Sequence, residues 1–582
     1  MVALFVLAYG LAAGYNLGLP GLHYDEAKEA GLNALELLQG DPVTAFRGAT
    51  LDLGIWSGTW SLPLMVQDYI GALNIYLVMP FLALSGVGVP NLRWPAVLIG
   101  VLTLLTLERL VSEWWTWHAP ATGETPNTPA VHIHTPVTWA GLLSVALLAL
   151  SPSFVFWSRQ GIFVTNLTQP LCLFALWQGV RWLRTGANGA FILTGAGAGL
   201  ALYAKLLAGW LLGPFAVLGL IGYVQIVRAR RRDPVRGPHL TSRLTPHLTP
   251  GLLVAGLAAF LLALSPFIWF NMQTGGTLAQ VGGNLTQSYY GVDNLAWRAN
   301  LGVRLGQVIQ TLRGDHFWYL GGLYANGLAP WLALAALPVG MWRPRLVGIP
   351  LLLLGSALAL SIFTLSDLFI THFALLQPVL VGCVAVGWLA WMPVRRAGVE
   401  NASAENASTE KARVGVRAYA VTVVLAAALW VGADGWATAR YHGALASSGG
   451  LADHSDATYH FAYHLRYNGL GAPIALDWGM DAPVRFLTEN TVRPIEIFGY
   501  ASPDAPDDDF VARLALFLDN PDNVYLLRDA SQTVFAGRRE VFLEQVQARN
   551  GTPVLAATFD QRDGTRLFEL WRVEFGEDFA AQ

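Results

Sequence analysis

Long apolar runs separated by short polar connections set the layout of the first three-quarters of the chain. Runs that predict helices lie at 2–19, 64–84, 93–112, 138–157, 169–184, 190–204, 207–227, 251–270, 319–341, 346–364, 372–392 and 417–437. Most approach the ~20 residues that one helix needs to cross a bilayer. After about residue 439 the pattern changes. Strand-like runs at Pro473–Trp478 and Asn523–Arg528 precede a helix-like Arg538–Arg549, and two more strand-like runs follow at Pro553–Phe559 and Arg566–Glu574. The expected division is a transmembrane domain over 1–437 and a small α/β domain over 438–582, the latter near the usual size of a domain.

Composition agrees with a membrane protein crossing many times. Of 582 residues, 54% are hydrophobic and 13% charged, where soluble proteins carry about 25% charged residues. The 22 Trp suit a membrane–water boundary. Cys172 and Cys383 sit inside apolar runs, so no disulfide framework is implied. The first run lacks a basic leader and a small-residue cleavage site, which predicts a retained helix. No nucleic-acid partner is expected.

Basic clusters orient the spans. Arg228, Arg230, Arg231, Arg232, Arg236 and Arg243 form the largest; Arg395, Arg396, Lys411, Arg413 and Arg417, then Arg343 with Arg345, then Arg181 with Arg184 follow. The positive-inside rule assigns all four to the cytoplasm. Counting crossings from Arg228 back to the N-terminus leaves one too many if 2–19, 64–84 and 93–112 all cross. The run 64–84 carries Asp68 and Asn74 and ends at Pro80 and Gly86, so it is expected to lie at the outer surface. The alternative, in which 2–19 does not cross, puts Asp25 inside. The favoured reading is a mostly α polytopic protein of about eleven transmembrane helices. Its external parts are loops at about 20–91 and 271–315 and the C-terminal α/β domain.

That topology gathers polar residues on one side. Asp25 and Glu26 emerge directly after the first span, in Leu19-Pro-Gly-Leu-His-Tyr-Asp-Glu-Ala-Lys-Glu. A carboxylate at a membrane surface suits a general base or a metal ligand; it equally suits the start of a helix. His23, Tyr24, Lys28, Asp68, Arg159, Asn166, Lys205 and His372 fall at the same level. Charged groups at that depth are costly unless they line a polar cavity, and carboxylates beside cations suit group transfer from a phosphate-bearing lipid. His118, His132 and His134 fit no common zinc spacing and read as loop, and Asn401 and Asn406 head cytoplasmic sequons.

The motifs in order resemble the C-type membrane glycosyltransferases, specifically the protein O-mannosyltransferase-like group of family 39, whose relatives include the lipid A aminoarabinose transferase. Tyr24-Asp25-Glu26-Ala27 resembles the family's Asp-Glu pair in its first external loop. Pro63-Leu64, Tyr69, Ala72-Leu73, Gly86 and Leu92-Arg93-Trp94-Pro95 are similar to its loop-end helix and next span. Ser151-Pro152 with Ser158-Arg159, Ala204-Lys205, and Thr371-His372-Phe373 with Gln377-Pro378 resemble later motifs. The chain departs from the pattern where Val164, Thr165 and Asn166 stand in a region that often carries an Asp. The resemblance implies an inverting transfer of a sugar from a polyprenyl-phosphate donor to a hydroxyl of a protein, lipid or glycan acceptor, outside the plasma membrane. It implies Asp25 as general base and Glu26 as acceptor or divalent-metal ligand, with His23 a further metal ligand. Arg159 and Lys205 would hold the donor phosphate, and His372 would line the site. Two other classes fit the composition: a lipid-linked sugar flippase or transporter, and a non-catalytic scaffold displaying the tail. The first needs polar residues through the whole bilayer, and the second gives no reason for Asp25, Arg159 and Lys205 to share a face.

Overall fold

The computed structural model describes residues 1–43, 49–55, 58–118, 138–160, 165–232, 248–392 and 407–575. His132, His134, Val164, Arg236, Arg243, Arg395, Arg396, Asn401 and Asn406 lie outside them, as do the side chains of Arg230, Arg231, Arg232, Lys411 and Arg413.

Helices α1 (Val2–Gly14), α4 (Leu73–Ser85), α5 (Val89–His118), α6 (Trp139–Ala149), α7 (Pro152–Ser158), α8 (Thr165–Thr185), α9 (Asn188–Ala204), α10 (Gly209–Arg232) and α11 (Pro250–Thr274) build the first part of a bundle. Two short helices, α2 (Tyr24–Glu26) and α3 (Leu32–Gln39), flank a π-helical turn at Ala27–Gly31 between α1 and α4. Helices α12 (Gly276–Gly283), α13 (Trp297–Arg313), α14 (Ala329–Gly340), α15 (Pro344–Leu360), α16 (Gln377–Leu389) and α17 (Ala407–Ser448) complete it. Among the described residues, Val89–His118, Leu206–Gln225, Pro250–Thr274 and Gly415–Ser448 are long and apolar enough to cross a membrane, and α6 with α7 makes a fifth, broken span bent by 71°.

The run expected as one helix over 138–157 breaks at Ser151 because Pro152 supplies no N–H and its ring excludes the preceding helical turn. The run 2–19 is helical only to Gly14. The run 64–84 opens as strands β3 (Met65–Gln67) and β4 (Ile70–Gly71), after β1 (Thr50–Ile55) and β2 (Gly58–Pro63), and turns helical only at Leu73. Leu73 packs with Leu64 and Tyr203 beside Lys205, while Arg93, just past the end of α4, pairs with Glu26. Helix α5 therefore starts at the end of the bundle that carries Glu26. At 30 residues, about 45 Å, α5 runs from that end to the opposite one, where Arg184 on α8 pairs with Glu113 and the Trp114 indole donates to Leu346 O at 2.9 Å.

Beyond α17, helices α18 (Ala457–Tyr467), α19 (Asp481–Leu487), α20 (Phe510–Leu518) and α21 (Arg538–Ala548) pack on a sheet of order β6-β5-β7-β9-β8. Its strands are β5 (Ile474–Ala475), β6 (Ile495–Glu496), β7 (Val524–Arg528), β8 (Gly551–Asp560) and β9 (Arg566–Phe575). The first three strands are parallel, and β9 is antiparallel to both β7 and β8. One face of this C-terminal unit shares its core with the loop after α1. Leu22, Tyr24, Ala27, Ala30 and Leu92 join Phe461, Met480, Phe486 and Phe568 in a single buried cluster. At Gly21 the approach is so close that a Cβ would sit 2.0 Å from Ser455 O. The loop carrying Asp25 is thus held between the bundle and the sheet.

Candidate active site

Where α1 ends, a run of backbone carbonyls is left without helical partners. Two buried arginines fill them. Arg159, at the end of α7, donates from Nη2 to Tyr15 O at 2.6 Å, Asn16 O at 2.7 Å and Leu19 O at 3.2 Å, and its Nη1 meets His442 Nδ1 at 3.2 Å. Arg93 donates from Nη1 to Leu17 O and Pro20 O, both at 2.8 Å, and its Nε and Nη2 grip the two oxygens of Glu26 at 2.8 and 2.7 Å. Neither side chain of the Arg93–Glu26 pair is accessible to solvent.

The Glu26 carboxylate neutralises Arg93, and the terminal nitrogens of Arg159 are taken up by His442 and by the carbonyls that follow α1.

A second polar group lies beside this clamp, on the same loop. His23 caps the helix, its Nδ1 accepting from Asp25 N at 3.1 Å. Asp25 and Glu29 are four residues apart, so one helical face presents both. Between them the chain passes into a π-helical turn, a form that recurs at functional sites. Asp25 keeps 44% of its side chain exposed, whereas Glu29 is only 6% exposed and Glu26 not at all. Glu29 Oε1 accepts from Gln67 Nε2 at 3.0 Å.

Lys205 reaches this group from the bundle. Helix α9 stops at Ala204 and Lys205 adopts extended backbone. It bridges to Ile70, and Leu206 N donates to Tyr69 O at 3.1 Å. Gly71 permits this docking, since a Cβ there would lie 2.3 Å from Tyr203 O. Lys205 Nζ donates to Thr165 Oγ1 at 3.2 Å. Burial pushes the Glu29 carboxyl above the usual carboxylate range, Asp25 pushes it further, and Lys205 and Lys28 oppose the rise. Asp25, Glu29 and Lys205 therefore act on one another as a cluster.

The other expected residues divide. Tyr24 is buried, its hydroxyl 3.2 Å from that of Tyr500 and accepting from Lys28 Nζ at 3.3 Å, so both turn toward the C-terminal sheet. Asp68 accepts through its backbone carbonyl from Thr277 Oγ1. Asn166 is buried and donates to Trp157 O, which fixes the start of α8 rather than lining the cluster. His372 is buried, its ring edge-on to Trp210 at 5.8 Å.

Glu29 is absent from the residues expected from sequence, and the i, i+4 spacing from Asp25 is a signal that could have found it. The two residues that the sequence offers a metal already have partners in the structure. Glu26 is saturated by Arg93, and the His23 Nδ1 accepts a backbone N–H. Among the described residues, no three His, Cys, Asp or Glu side chains gather as a metal set.

The helical bundle with its broken span and the α/β unit after it shares its fold with solved membrane glycosyltransferases of the C type. Residues 134–245, which include Arg159 and Lys205, match the family model described as dolichyl-phosphate-mannose-protein mannosyltransferase. The chain is similar in structure to ArnT from Cupriavidus metallidurans bound to undecaprenyl phosphate. The TM-score is 0.56 at 13% identity, over 98% of this chain and 97% of that one. The apo state of the same protein gives 0.55 at 12% identity over the same shares. The Archaeoglobus fulgidus oligosaccharyltransferase overlaps more loosely, at a TM-score of 0.46 and 12% identity over 90% of this chain and 67% of that one. No curated protein sequence matches the chain.

Proposed function

We propose that the protein is an inverting glycosyltransferase that moves a sugar from a polyprenyl-phosphate donor to an acceptor hydroxyl. One observation carries the reading: of the acidic side chains Asp25, Glu26 and Glu29 on the loop after α1, Asp25 alone is open to solvent, and it acts electrostatically with the buried Glu29 and the half-buried Lys205. An acceptor hydroxyl is a poor nucleophile. Asp25 takes its proton as the new bond forms at the anomeric carbon, while the bond to the carrier phosphate breaks and its electrons stay on the phosphate oxygen. Lys205 stabilises that growing negative charge. Glu29 limits how strongly Lys205 holds the phosphate and keeps the lysine in place between turnovers. The match of 134–245 to a mannosyltransferase family, and the undecaprenyl phosphate bound by ArnT, support a lipid-phosphate carrier.

In this reading the chain crosses the plasma membrane eleven times, with α4 staying on the outer side. Asp25, Lys205 and the C-terminal α/β domain face outward, and the arginine clusters face the cytoplasm. Cysteine labelling at Thr50 and Ser242 should reach the two positions from opposite sides; labelling from one side removes the topology. For the reaction, the purified protein should consume a polyprenyl-phosphate sugar in the presence of an acceptor. Turnover with a soluble nucleotide sugar and no lipid carrier would overturn the proposal.

A further inference from the structure

At the end of the bundle away from Asp25, where Arg184 pairs with Glu113, the helices enclose an apolar space. Leu107, Trp114, Val180, Phe215, Ile349 and Cys383 line it, from α5, α8, α10, α15 and α16. Its volume is about 120 Å³, and among the described residues no charged side chain lines it. Along α5 the lining runs from Leu107 to Trp117, about 15 Å of helix axis. That is half of the ~30 Å hydrocarbon core, the depth of one leaflet.

Two glycines keep the space open. Gly219 and Gly222 on α10 form part of its wall, and a Cβ at either would meet nothing within 4 Å. Both are half-buried and Ile349 is 41% exposed, so the space reaches the surface of the bundle between α10 and α15. A cavity without polar groups does not hold water, and an empty one leaves its lining without contacts on one side. A hydrocarbon chain from the bilayer fits both conditions.

The mouth of the space is basic. Trp114 and Trp117 stand there edge to face at 5.6 Å, and the Trp114 indole donates to Leu346 O at 2.9 Å. Arg345 precedes Leu346 and is exposed; it lies four residues before Ile349, on the same face of α15. Arg343 is half-buried and donates from Nη2 to Met392 O at 3.3 Å. Arg181 directly follows Val180 on α8, and the exposed Arg228 lies six residues beyond Gly222 on α10. These arginines outnumber the carboxylate that shares their end, Glu113, so the mouth is positive.

We propose that this space is a phospholipid site. One acyl chain of an anionic glycerophospholipid lies between α10 and α15, and its phosphate meets Arg345 and Arg343 at the mouth, as basic pockets between spans hold anionic headgroups. The lipid belongs to the leaflet opposite Asp25, and the site does not depend on the proposed reaction. A carrier chain entering from the Asp25 end would fill the space without placing an anion among these arginines.

The whole protein, stripped of lipid in detergent, is titrated with dioleoyl phosphatidylglycerol, dioleoyl phosphatidylcholine and polyprenyl phosphate, and the lipid retained is read by native mass spectrometry. Phosphatidylglycerol should bind at least about tenfold more tightly than phosphatidylcholine. Gly219→Leu puts a side chain into the space and removes a poor helix former. It should lose most binding of both phospholipids while melting at or above the wild-type temperature without lipid; Gly222→Leu repeats the test if that variant does not fold. Arg345→Gln, at an exposed position, should cut the preference for phosphatidylglycerol about fivefold, the scale of one basic residue at an anionic surface. Full binding by a folded glycine variant overturns the space as the seat of the chain. An unchanged preference in Arg345→Gln overturns the headgroup site. Polyprenyl phosphate binding more tightly than phosphatidylglycerol assigns the space to a carrier tail and overturns the phospholipid. No turnover is read, so failure of the Asp25 chemistry leaves these results intact.

Discussion

Two sets of buried charge lie within a few residues of each other and behave differently. In the clamp, every terminal donor of Arg93 and Arg159 has an acceptor, and the Glu26 carboxylate is gripped on both oxygens. In the neighbouring set, Asp25 is open to water, Glu29 is buried and Lys205 is half-buried. A network whose terminal donors are taken has little left to offer a ligand, so its role is to hold the loop in place. An unsaturated one retains capacity at an energetic cost, and that capacity is what a substrate can use. Adjacent residues, Asp25 and Glu26, fall on opposite sides of this divide.

The contrast can be broken most decisively at Asp25. Asp25→Asn keeps the size and loses the base, and should lower turnover by roughly 10²–10⁴-fold with melting unchanged. Wild-type turnover in a folded Asp25→Asn would remove the residue from the mechanism. At Glu26 the effect should appear in stability instead. Glu26→Gln leaves Arg93 buried without its counter-charge, which should cost about 3–5 kcal/mol; a melting curve equal to wild type would sink the clamp. Added divalent metal should not rescue this variant.

Lys205→Ala sharpens the other side of the comparison. It should reduce turnover with the lipid donor by roughly 2–4 kcal/mol of transition-state stabilisation, read from kcat/KM, with little loss of folding.

The smallest effect concerns the contact that presses the loop against the sheet. Burial raises the Glu496 carboxyl to about 7, the Tyr500 hydrogen bond opposes the rise, and Asp481 adds to it. Because the folded value lies above the ordinary 4.5, Glu496 contributes stability below about pH 4.5 that is lost as pH rises through about 7. Glu496→Gln should therefore gain on wild type between pH 5 and pH 8, by about 2–4 °C in melting temperature for a change near 1 kcal/mol. Melting the two proteins at both pH values checks this, and a constant difference would refute it.

Much of the design could be read along the chain, because its causes are local. Apolar runs of bilayer length report a membrane protein however they pack. Pro152 marks the break in its run, and the alternating runs after residue 470 mark the strands. Asp25 was visible for the same reason, as the first acid after an apolar run. Which charges are spent on structure was decided only in three dimensions. Glu26 is silenced by Arg93, 67 positions away, and Arg159 by carbonyls more than 140 positions earlier in the chain. A charge's chemistry depends on what neutralises it and on how much water reaches it, and tertiary packing sets both.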